Sequence, residues 1–67
     1  MRTPKLITIA QVREITGIST ASIYRLMADG LFPNRITLFG RKVVWIEEEV
    51  NDWIEDRIIE SKRGELK

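Results

Sequence analysis

Cysteine and histidine are both missing from the 67 residues. Without thiols or imidazoles there is no disulfide, no thiol nucleophile and none of the usual zinc or haem ligand sets. The commonest general acid and base is gone as well. The hydroxyl nucleophiles nearest plausible surfaces are Ser19, Ser22, Ser61 and Tyr24, but no imidazole is present to activate them, and no glycine-rich loop of the phosphate-cradling kind occurs. An enzyme is therefore not expected, nor a cofactor or metal site. Long hydrophobic runs are lacking too. No stretch approaches the ~20 apolar residues that cross a bilayer, and the opening MRTPKL has no apolar signal-peptide region. The expectation is a cytoplasmic protein that leaves membranes alone.

Length is the other shortage. A chain of 7.8 kDa makes one domain, spanning residues 1–67, which hides only ~60% of the surface its unfolded form exposes. Such a core supplies roughly 3–5 kcal/mol of net stability, so most apolar residues are expected to be structural.

The formal net charge of +1 conceals a division. Residues 1–45 hold seven basic side chains (Arg2, Lys5, Arg13, Arg25, Arg35, Arg41, Lys42) against two acids (Glu14, Asp29). Residues 46–67 hold four bases (Arg57, Lys62, Arg63, Lys67) against eight acids (Glu47, Glu48, Glu49, Asp52, Glu55, Asp56, Glu60, Glu65). The basic section is the natural surface for a polyanion, although small domains also acquire such asymmetry by chance.

Residues 1–7 read as a flexible arm, because Pro4 disfavours helix before it and nothing periodic begins until Ile9. Thr8 is a good N-cap, and Ile9, Val12 and Ile15 then recur at three-residue spacing as one buried stripe, ending at Thr16-Gly17. Ser19 caps a second helix whose apolar face is Ile23, Leu26 and Met27 and which stops at Asp29-Gly30. Two short helices joined through a glycine-containing turn over 8–29 match the helix-turn-helix unit. Many helical corners share that spacing and bind nothing.

Beyond Gly30, Pro33 stops helix, and RITLF followed by KVVW is rich in β-branched and aromatic residues. Gly40-Arg41 suits a tight hairpin turn, which predicts a wing over 35–45 with Arg41 and Lys42 at its tip. Val50, Trp53, Ile54 and Ile58 form an apolar stripe on a charged helix over 47–62. Glu47, Glu48 and Glu49 in its first turn offset the helix dipole, which accounts for them without any function. Residues 63–67 read as a frayed tail, and Trp45 and Trp53 as core. The fold expected is α+β, mainly α: a small winged helix-turn-helix domain.

On a wheel of 100° per residue, Ala21 and Arg25 lie about 160° and 200° from the buried Ile23, with Tyr24 and Ser22 flanking them and Ala28 between. Small side chains let a helix approach another surface closely. Arg offers a fork for guanine edges or phosphate, and the Tyr hydroxyl can donate to phosphate. The alternative keeps Tyr24 on the rim of the core and pairs Arg25 with Asp29 one turn on. Charges at a hairpin tip likewise protect a sheet edge, so Arg41 and Lys42 gain meaning from lying beside such a helix.

These residues also carry a resemblance. Thr16-Gly17-Ile18-Ser19, Ile23-Tyr24-Arg25-Leu26-Met27, Gly30-Leu31-Phe32-Pro33, Leu38, Gly40-Arg41, Trp45, Glu49-Val50 and Trp53-Ile54, taken in order, are similar to the AlpA family of small prophage regulators. Those are winged helix-turn-helix proteins related to phage excisionases and to the MerR-type DNA-binding head. The resemblance implies a DNA-binding regulator of phage or genomic-island promoters or attachment sites, with Tyr24 and Arg25 on the recognition helix and Arg41 in the wing. The chain departs from the family pattern at Thr20, where a basic residue is usual, at Arg35 in place of a common Pro, and at Phe39 in place of a common Gly.

The DNA-binding residues expected are thus Ser19, Thr20, Ala21, Ser22, Tyr24, Arg25, Arg35, Arg41 and Lys42, with double-stranded DNA as the partner. Two alternatives stay open. One is an excisionase-like factor that bends attachment-site DNA; the other is an adaptor without DNA contact, whose acidic last helix meets a basic partner such as an integrase or RNA polymerase. With the last helix's stripe assigned to the core, no dimerisation element is expected, and the chain reads as a monomer in solution that can sit side by side on repeated sites.

Overall fold

Thr8 opens the first helix by a reciprocal cap: its hydroxyl accepts from the Gln11 backbone N–H at 3.3 Å, while the Gln11 side chain accepts from the Thr8 N–H at 2.8 Å. Two otherwise orphaned donors are satisfied at once. In the computed structural model, which describes residues 3–65, this begins α1 (Ile9–Thr16), followed by α2 (Thr20–Ala28). Gly17, at φ 73°, ends α1 in the left-handed conformation that glycine adopts without a steric cost. Gly30 does the same after α2: its N–H reaches Met27 O, and the next N–H, from Leu31, reaches back to Leu26 O. Paired bonds of this kind close the last turn of a helix.

The chain then forms β2 (Ile36–Phe39), β3 (Lys42–Ile46) and α3 (Glu47–Glu65). The arm expected over 1–7 is not all arm. Leu6–Ile7 is a strand, β1, antiparallel to β3 with Leu6 opposite Ile46 and Ile7 opposite Trp45. The Glu47 N–H donates to Lys5 O at 2.9 Å, and the two side chains form an ion pair at 3.4 Å. Residues 1 and 2 lie outside the described residues, as do 66 and 67 of the expected tail. The sheet order is β1-β3-β2, so the hairpin gains a third strand from the far end of the sequence.

Ile7, Val12, Ile23, Phe32, Trp45 and Val50 form the buried core, with Ile9, Leu26, Met27, Val43, Trp53 and Ile54 packed around it. Phe32, in the link between α2 and β2, plugs the core and meets Trp53 edge to face at 4.8 Å between centroids. Both indoles find acceptors in that link, Trp45 at Pro33 O and Trp53 at Leu31 O, so the N–H of the fully buried Trp45 has the partner that burial requires. The architecture is a small, mainly helical α+β winged helix-turn-helix.

Two expected core residues are outside it. Ile15 is 42% exposed and Ile58 50% exposed, with Ile59 beside it at 47%. Ile15 stands on the last turn of α1, beyond the buried Val12; for Ile58 the reason is length. α3 continues to Glu65, past the end expected near 62, and its 19 residues span roughly 28 Å. Its Val50, Trp53 and Ile54 turns cover the core; the later turns overhang. The radius of gyration, 13.3 Å, accordingly exceeds the ~11 Å of a compact chain of this size.

Candidate nucleic-acid interface

The turn between α1 and α2 is held by one side chain. Thr16 Oγ1 donates to Val12 O at 2.8 Å and accepts from the Ile18 N–H at 3.1 Å. Ser19 then caps α2, accepting from the Ser22 N–H at 3.2 Å and donating to Ser22 Oγ at 3.1 Å. Both serines expected at the interface therefore have a structural task already. Arg13, on the last turn of α1, lines the same shallow depression as Gly17, Ile18 and Ser19. It adds a cation beside the first turn of α2 that spacing alone did not single out.

With Ile23 fully buried, the opposite side of α2 is turned to solvent. Ala21, Tyr24, Arg25 and Ala28 are exposed, and Thr20 and Ser22 half-buried. Among the described residues Arg25 has no carboxylate within ion-pairing distance, so the pairing with Asp29 weighed from the sequence does not form. Its guanidinium keeps all its donors for an outside acceptor.

Tyr24 combines the two roles considered for it. Its ring edge packs on Trp45, with centroids 6.3 Å apart and planes at 71°, yet 36% of the residue stays accessible. Arg35 lies over the ring, 5.5 Å from guanidinium carbon to centroid, within range of a cation–π attraction. The first residue of the wing region is thereby brought against the outward helix. From Arg35, β2 carries the chain roughly 13 Å to Phe39, and after the turn at Gly40, φ 49°, Arg41 and Lys42 are exposed.

Another depression lies between the 30–36 link and α3, where Glu49, Asp52 and Asp56 outnumber Arg35 and Arg57 among its walls. Its carboxylates make it a poor seat for a polyanion. Among the described residues no helix is long and apolar enough to cross a membrane.

The sequence has counterparts among known proteins. A family model described as Prophage CP4-57 regulatory protein (AlpA) matches residues 5–58, from just before β1 to the exposed Ile58 of α3. The uncharacterized protein ORF88 of Enterobacteria phage P4 is 35% identical over 60 residues, which span 90% of this chain and 68% of that one.

Proposed function

Since the chain belongs to the AlpA family of prophage regulatory proteins, we propose that it binds double-stranded DNA sequence-specifically, with α2 in the major groove and the wing on the flanking backbone. The observation that carries this reading is the outward side of α2, where Arg25, without an ion-pair partner among the described residues, stands among small residues beside the Tyr24–Arg35 stack. Arg25 would read a base edge, because a guanidinium fits the two acceptors of guanine. Ser19, Thr20, Ala21 and Ser22 would line the close approach at the start of the helix, and Tyr24, Arg35, Arg41 and Lys42 would meet phosphates.

A contact set of about four phosphates gives a log affinity against log salt slope of roughly −3 to −4. Titrating a fluorescent duplex across salt concentrations measures it. A slope near zero, or no binding at about 50 mM salt, would remove the DNA reading.

One observation favours a second contact. The overhanging part of α3 presents Ile58 and Ile59 to solvent amid Glu55, Asp56 and Glu60. α3 as a whole carries eight acids against Arg57, Lys62 and Arg63, and an acidic helix with exposed apolar residues fits a basic protein partner such as an integrase or RNA polymerase, engaged at the same time as the DNA.

A further inference from the structure

Phe39 is 72% exposed, more than any other large apolar side chain among the described residues, and its neighbour Leu38 is 49% exposed. The phenyl takes no part in the core. Packing therefore does not account for it, and three features of the hairpin aim it outward with positive charge around it.

The β2–β3 register is irregular between Thr37 and Phe39, and an extra residue at such a point bends the strand and redirects its side chains. Phe39 pairs with Lys42 across the ladder, so the phenyl and the lysine stem share one face of the sheet. Gly40 reverses the chain at once, bringing Arg41 next to them. The wing thus ends in an aromatic wedge flanked by two cations.

Such a tip fits a partner that is apolar inside and anionic at its rim. Stacked base pairs between phosphate strands have that character, and side chains of this kind enter the minor groove and part a base step.

We propose that Phe39 is a minor-groove wedge that unstacks one base step and kinks the duplex toward its major groove, while Arg41 and Lys42 hold the flanking phosphates. The proposal rests on the DNA-binding reading above and goes beyond it by making the wing a bending device.

The test uses the full chain and a duplex of about 30 base pairs selected from a randomised pool by the wild-type protein. The duplex carries fluorophores at its ends, and in a second series 2-aminopurine at successive positions beside the selected site. Wild-type protein is expected to shorten the end-to-end distance by an amount matching a kink of about 20–90° and to brighten 2-aminopurine at one step. Phe39→Ala, exposed and so expected to melt with wild type, should bind about tenfold more weakly and do neither. Phe39→Leu should retain most of both signals.

A Phe39→Ala protein that bends and brightens the duplex like wild type would overturn the wedge alone, leaving DNA binding intact. So would an affinity loss seen only where two copies share a duplex, which would assign Phe39 to a protein contact. Failure of the wild-type chain to select any duplex would overturn the DNA reading and the wedge together.

Discussion

The guanidinium of Arg35 lies 5.5 Å from the centre of the Tyr24 ring. This contact joins the entry of the wing to the exposed side of α2, two segments separated by the whole 30–34 link. Trp45 supports the same ring from the other partner, edge on at 6.3 Å, so Tyr24 is held between the core and a cation. A pre-positioned ring and guanidinium would lose less rotamer freedom in the proposed DNA contact than free surface side chains.

That coupling has a measurable size. A double-mutant cycle in urea on Tyr24→Ala and Arg35→Ala should return an interaction of about 0.5–1 kcal/mol, as expected for an accessible cation–π pair. Tyr24→Phe should preserve it, because the ring rather than the hydroxyl carries the attraction. A coupling of zero would mean that the two side chains are neighbours without mutual stabilisation.

Arg25→Ala should weaken binding to a selected duplex by about 1–3 kcal/mol and relax preference at one base pair, with little change on random DNA. Fluorescence anisotropy on the two duplexes makes the comparison. Equal losses on both would reassign Arg25 to a phosphate.

Arg41→Ala is expected to act in the opposite manner. Losing a backbone contact lowers affinity for all sequences alike and reduces the magnitude of the salt slope by about 1. A sequence-dependent loss would show instead that the wing tip reads bases.

The core and the overhang should respond differently to the same truncation. Ile7 is 1% exposed, and Ile7→Ala should cost about 2–5 kcal/mol, comparable with the roughly 3–5 kcal/mol available to a domain of this size. It should be largely unfolded in thermal melts followed by circular dichroism. Ile58→Ala, at a half-exposed position, should fall within about 0.5 kcal/mol of wild type. A large loss at Ile58 would mean that the α3 overhang is packed in solution.

Much of the architecture was legible in single residues. The caps at Thr8 and Ser19 and the stops at Gly17 and Gly30 stand where the helices begin and end, because capping is settled within a few positions of the chain. The exposed side of α2 was legible as well, since Ile23, Leu26 and Met27 define its buried face. Whether the nine residues read as DNA contacts do touch DNA is a proposal in both readings.

β1 was misread as arm because a two-residue strand has no period to detect. Its partner, β3, lies some forty residues on. Phe32 went unnoticed as a core plug because a lone aromatic in a proline-containing link carries no pattern. Ile15 and Ile58 were misread for the converse reason: periodicity reports that a helix has an apolar side, not how far along that side the core extends.

By itself, then, the sequence determined the chemistry that is excluded, the order of the elements and the outward composition of α2. All of these depend on residue type and near neighbours. Tertiary structure alone decided that Arg35 covers Tyr24, that β1 completes the sheet, that α3 outruns the core and that Phe39 stands unpacked at the wing tip. Each of those rests on contacts made, or left unmade, between segments distant along the chain, and local periodicity holds no information about such distances.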